Sequence, residues 1–122
     1  MANAIHLICR RDDSGRLTGL ALYERPDVYR SIAWEISPED AAALVGGWVY
    51  FHPKKAQVSE FGGRVLKVEE AGSATAYGRP EIALIVRSLV AGKGQKWRGT
   101  AHGMAWTGGL VETTLPHEQG AA

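Results

Sequence analysis

Short apolar runs, each ended by glycine or by turn-forming residues, are the feature that most constrains the fold of this chain. The sequence has 15 glycines among its 122 residues, and the apolar runs between them have the length of strands rather than of helices. Trp48–His52 is a strongly β-prone example, and residues 82–89 are apolar on both faces, as in a central strand. The pattern predicts a mainly β (α+β) domain of about five to seven strands with one or two short helices.

The remaining runs complete the predicted order of strands. Residues 4–10 and 17–24 flank a turn-rich segment and predict an N-terminal β-hairpin. Residues 29–36 alternate apolar and polar side chains, which indicates a half-buried strand. Further strands are expected at 64–70, 82–89 and 104–113. We therefore predict a single domain over residues 1–114 and a flexible tail over residues 115–122.

One helix is predicted, beginning after Ser37. The Ser37 hydroxyl can accept a hydrogen bond from a first-turn N–H, and Pro38 suits the first helical position because its missing N–H is harmless there. A run of alanines propagates the helix, and Gly46 with Gly47 ends it. In the strand that follows, Trp48, Tyr50 and His52 share one face, because side chains alternate along a strand.

Composition excludes several classes of protein. Lys and Arg total 14 against 13 Asp and Glu, so the formal net charge is +1 and the chain is not polybasic. The single cysteine, Cys9, excludes an intramolecular disulfide and favours a cytoplasmic location. No signal peptide or membrane-spanning segment is expected. The histidine spacing lacks a zinc motif, so no metal is expected, and no other cofactor is predicted.

Aromatic and basic residues are interleaved in two blocks, which is the strongest functional signal. Bases stack on aromatic rings, and Lys and Arg neutralise phosphates. The predicted ligand-binding residues are Trp48, Tyr50, His52, Trp97, His102 and Trp106. The predicted phosphate-binding residues are Lys54, Lys55, Arg64, Lys96 and Arg98. Core packing is the competing interpretation for Trp48, whereas the Gly-rich basic surroundings of Trp97 favour contact with a ligand.

The order of elements resembles the PUA-like superfamily, in its EVE and ASCH branches. The resemblance is carried by residues 37–46, Trp48–His52, 62–68 and 82–89, in which a helix leads through glycine into an aromatic strand. It covers about half the chain and is a pattern of elements rather than a diagnostic motif. The resemblance implies a small PUA-like β-barrel, and EVE-type relatives suggest recognition of a modified base.

The resulting hypothesis is a non-catalytic module that binds a nucleic acid or nucleotide in an aromatic pocket with a basic rim. One alternative is a small ASCH-like hydrolase acting on a modified nucleoside or RNA. There a lysine at position 54 or 55 and Glu60 would react, and Ser59 or Thr100 would supply a hydroxyl. A second alternative is a protein-interaction module that binds its partner through residues 92–109. This segment contains Trp and Arg, which are enriched at interface hot spots.

Overall fold

The architecture is mainly β, as the sequence predicts. The structure is a computed structural model that describes residues 3–9, 11–15, 17–24, 26–54, 56–74, 78, 80–98 and 107–119. The strands are β1 (Asn3–Ile8), β2 (Leu20–Glu24), β3 (Val28–Trp34), β4 (Trp48–His52), β5 (Phe61–Ala74), β6 (Pro80–Ser88) and β7 (Thr107–Glu112). The helices are α1 (Pro38–Leu44) and α2 (Pro116–Gln119), and a 3-10 turn spans Val90–Gly92.

The seven strands form one mixed sheet in the order β2-β3-β6-β5-β4-β1-β7. Neighbouring strands run antiparallel, except that β1 and β4 run parallel. Among the described residues β2 and β7 are the two edge strands of the sheet, and they are not paired with each other. The sheet is therefore not closed into a barrel, and the predicted barrel closure is not confirmed.

The predicted N-terminal hairpin is wrong. β1 pairs with β4, where Ala4 lies opposite Trp48, and with β7, whereas β2 pairs with β3. Burial explains the difference, because a strand buried on both faces belongs inside a sheet. Residues 4–7 of β1 are all buried, whereas β2 is almost wholly exposed and suits an edge. In the described part of the chain an isolated bridge joins Leu17, at the start of the second predicted arm, to Arg11 in the predicted turn.

Helix α1 confirms the predicted helix. The Ser37 hydroxyl accepts a hydrogen bond from the Asp40 N–H at 3.2 Å, and Pro38 occupies the first turn. Gly46 follows the helix with φ of +83°, a conformation that glycine adopts without a steric penalty. Neither helix, as far as the structure describes the chain, is long and apolar enough to cross a membrane.

The sheet has a core on each face. The first face carries the main core, which includes Val49 and Phe51 of β4 and Leu44 of α1. The second face carries a smaller apolar cluster of Ala4, Trp48 and Tyr50. The predicted alternation along β4 is thereby confirmed, and the second face holds most of the predicted ligand-binding residues that the structure describes.

Two glycines bring the chain after β6 onto the second face. Gly62 lies inside β5, which begins before the predicted start at Arg64. A Cβ added to Gly92 would lie 2.2 Å from the carbonyl carbon of Gly62, so the two backbones are in direct contact. Ser59 fixes the same approach, because its hydroxyl donates to Gly92 O at 2.7 Å and accepts from Gln95 N at 3.0 Å. The segment 93–98 is positioned by this contact.

The predicted C-terminal tail contains helix α2. Glu118 of α2 is only 5% exposed and lies against the second face of the sheet. Residues 120–122 of the predicted tail lie outside the described residues.

We expect Gly92→Ala to destabilise the fold by about 1–3 kcal/mol, because the added methyl group overlaps backbone atoms that cannot rotate away. Urea denaturation followed by circular dichroism measures the loss. An unchanged free energy of unfolding would show that the contact between Gly62 and Gly92 does not constrain the fold.

Candidate functional site

The second face holds a buried polar cluster built from four parts of the chain. Its members are His6 of β1, Tyr50 and His52 of β4, Arg98 of the segment 93–98, and Glu118 of α2. His6, Tyr50 and His52 are at most 1% exposed. Buried polar groups need hydrogen-bond partners, and each of these side chains has one.

Arg98, His6 and His52 form a chain of hydrogen bonds in which each group donates its proton to the next, starting from Arg98. Arg98 Nε can only donate, and it lies 3.2 Å from His6 Nε2, which must therefore accept. The proton of His6 is then on Nδ1, which lies 2.7 Å from His52 Nε2 and donates to it. His52 in turn donates from Nδ1 to the Gln57 carbonyl at 2.8 Å. The geometry thus assigns one tautomer to each histidine, and both rings are neutral.

The pKa values of the histidines follow from this environment. Burial, together with the nearby His52 and Arg98, lowers the pKa of His6 to about 3. Burial also lowers the pKa of His52, although its bond to the Gln57 carbonyl opposes the change. Neither ring is suited to carry a charge near neutral pH. The two histidines therefore act in this cluster as uncharged hydrogen-bond donors and acceptors.

Glu118 is the anionic centre of the cluster. Arg98 donates to both of its oxygens, at 3.0 and 2.5 Å, in a bidentate pair. The Tyr50 hydroxyl and the Leu115 N–H also donate to the carboxylate. Burial alone would raise the pKa of the Glu118 carboxyl, but these donors lower it below its ordinary value. Burial and the bond to Glu118 raise the pKa of the Tyr50 hydroxyl, which therefore stays protonated.

Aromatic rings surround the polar cluster in a continuous ladder. The Trp48 and Tyr50 rings stack with their centroids 6.1 Å apart, and the Tyr50 and His6 rings stack at 4.7 Å. Trp97 completes the ladder with its ring 5.6 Å from His6 and 5.1 Å from His52. Trp97 is half-buried, in contrast to Trp48, which is 3% exposed. Trp97 is therefore the ring of the ladder through which a ligand can be contacted.

The structure brings together Trp48, Tyr50, His52, Trp97 and Arg98 from the predicted site. Arg64 joins them, because its guanidinium lies 5.2 Å from the centre of the Trp48 ring. Lys54 and Lys96 are exposed. Three predicted site residues, Lys55, His102 and Trp106, lie outside the described residues.

Two residues of the hydrolase alternative, Ser59 and Glu60, have structural partners. The Ser59 side chain is buried and its hydroxyl proton is directed to the Gly92 carbonyl. Glu60 forms an ion pair with Arg11. Thr100 lies outside the described residues, and no group of three or more potential metal ligands occurs within the described ranges.

Sequence reasoning missed His6 and Glu118 as members of the cluster. The alternation of β1 places His6 on the face of Ala4, but its contacts follow from the unexpected pairing of β1 with β4. Glu118 gives no comparable signal, because its burial depends on α2 folding back onto β4, where its partner Tyr50 lies 68 residues earlier in the sequence. Comparison of the chain with family models, curated proteins and solved structures finds no match.

We expect the free energy of unfolding to fall as the pH is lowered from about 6.5 towards 5. Both histidines have lowered pKa values in the folded protein, so the unfolded chain binds more protons in this range. Each histidine then contributes a slope of up to about 1.4 kcal/mol per pH unit. Urea denaturation at several pH values measures the slope, and His6→Asn should reduce it. The same slope in that variant would contradict the assignment to His6.

We expect Glu118→Gln to cost about 3–5 kcal/mol of stability, because it removes the anion that compensates a largely buried guanidinium. Glu60→Gln is the matched control, since its exposed ion pair with Arg11 should contribute less than about 1 kcal/mol. Thermal and urea unfolding compare the variants. Equal losses would show that the Arg98–Glu118 pair is no more important than a surface pair.

Proposed function

We propose that this protein binds a nucleic acid or a nucleotide, without catalysing a reaction on it, at the aromatic ladder that ends in Trp97. The observation that carries the proposal is the placement of Trp97. Its indole is half-buried, is held by two histidine rings, and belongs to a segment whose Lys93 and Lys96 are exposed. An accessible aromatic ring beside cations is the combination that binds bases together with their phosphates.

The members of the ladder then have different roles. Trp97 stacks on the base, while the buried His6 and His52 hold its ring in position and Tyr50 stacks on His6. Lys96, with Lys54 and Lys55, supplies charge for phosphates. His102 and Trp106 are assigned to the same site from the sequence alone, as a hydrogen-bonding group and a second stacking surface. The Arg98 guanidinium keeps the segment in place through Glu118.

The proposal extends to the class of domain. Helix α1 leads through Gly46 into the aromatic strand β4, in the order that resembles PUA-like proteins. We propose a distant PUA-like domain with a barrel-like curvature, and a base-modified nucleic acid as one ligand to test. The cytoplasm remains the proposed location, on the ground of the single cysteine.

The proposal is tested by titrating the protein with short single- and double-stranded DNA and RNA, unmodified and base-modified. Trp97→Leu should weaken binding by about 5- to 150-fold, which corresponds to the roughly 1–3 kcal/mol of one stacking contact. Fluorescence anisotropy of a labelled oligonucleotide measures the affinity. Circular dichroism establishes that the variant is folded.

Intrinsic fluorescence gives a second readout with a matched control. Quenching by the oligonucleotide should disappear in Trp97→Phe and persist in Trp34→Phe, because Trp34 is 9% exposed and packs in the main core. Unchanged affinity in folded Trp97→Leu would contradict the proposed site. Binding of a protein that persists after nuclease treatment, with no response to any oligonucleotide, would contradict the proposed function.

A further inference from the structure

The second face of the sheet carries a row of cations beyond the aromatic ladder. Strand pairing places Arg64 of β5 opposite Trp48 on one side and opposite Arg87 of β6 on the other. Arg64 is half-buried and the Arg87 side chain is 52% exposed. Like charges directly opposite each other on neighbouring strands are destabilising, so this pairing calls for an anion or for local compensation.

A second pair of cations lies beside the first. Arg30 of β3 and Lys67 of β5 both lie opposite Ile85 of β6, one on each side of it. The two side chains flank Ile85, which is 1% exposed, in the way that long basic side chains cover an apolar surface with their stems. Four cations therefore share the part of the second face formed by β3, β6 and β5.

Local carboxylates compensate this charge only in part. Glu69 lies 3.5 Å from both Arg30 and Lys67, and Asp27 lies 3.8 Å from Arg87. Within the described ranges no carboxylate forms an ion pair with Arg64. Its guanidinium is oriented by Gly46 O at 2.8 Å and by the Trp48 ring. Arg64 is thus held in place with donors left for a ligand.

We propose that this surface, formed by Arg30, Arg64, Lys67 and Arg87, binds the phosphodiester backbone of a nucleic acid whose base contacts Trp97. This inference rests on the proposed function and adds the path of the strand. Arg64 and Arg87 lie on adjacent strands about 5 Å apart, and Lys67 lies about 7–10 Å further along β5. A span of about 7–10 Å suits three or four successive phosphates, since one strand carries a charge about every 3.4 Å of helix axis.

The experiment measures how affinity for a fluorescent 12-nucleotide single strand changes with salt. Each phosphate contact contributes about 0.7 to the slope of log affinity against log salt concentration. Arg64→Gln and Arg87→Gln should each reduce the slope by about that amount, and the double variant by about twice as much. Arg11→Gln, which removes the same charge from an exposed loop, should leave the slope unchanged. Glu69→Gln should raise the affinity, because it frees two cations.

A second probe separates this inference from the proposed function. A strand of the same length with abasic sugars keeps the phosphates and removes the bases. If the abasic strand binds as tightly as the normal one and Arg64→Gln reduces its slope, the phosphate surface is supported and base stacking on Trp97 is contradicted. If the normal strand binds with a slope that none of the arginine variants changes, the phosphate surface is overturned while the proposed function stands.

Two further outcomes overturn the phosphate surface. One is binding of neither strand. The other is binding of anionic phosphatidylglycerol vesicles, with the strands failing to compete, because the occupant would then be a membrane surface rather than a nucleic acid.

Discussion

The bidentate pair between Arg98 and Glu118 is the interaction on which the second face of this protein depends. Glu118 joins α2 to β4 through Tyr50, and Arg98 joins the segment 93–98 to β1 through His6. A buried ion pair contributes little net stability on its own, because desolvation opposes the attraction. Its effect here is on arrangement, since a donor-only guanidinium sets the direction of hydrogen bonds through two histidines as far as Gln57.

That arrangement divides the second face into two regions with different properties. Around β4 and β1, the polar side chains of the cluster are hydrogen-bonded to one another beside aromatic rings, and the two histidine rings fix the position of Trp97. Around β5 and β6, basic side chains remain accessible, and the Arg64 guanidinium lies over the ring of Trp48. In the site that we propose, Trp97 is already held in position before a ligand binds, which is the general advantage of a preorganised site.

Local features of this structure could be predicted from the sequence, and distant pairings could not. Ser37, Pro38 and Gly46 act through neighbouring backbone atoms, so the sequence contains the information that defines α1. The two faces of β4 follow from alternation alone. The partner of β1 depends on which strands compete for a central position in the sheet. Proximity along the chain predicted β2 as that partner, and this prediction is wrong. The role of Glu118 depends on a contact across the whole domain, for which a single sequence carries no periodic signal.

The position of β1 has a consequence for how the chain folds. The first strand lies between β4 and β7, so its second partner is made only when residues 107–112 have been synthesised. Until then, an apolar strand near the N-terminus has an unpaired edge, which is a hazard for association with other chains. Pairings between such distant segments also slow folding, because the loop must close before the contacts form. Completion of the sheet is therefore expected to be a late and slow event in folding.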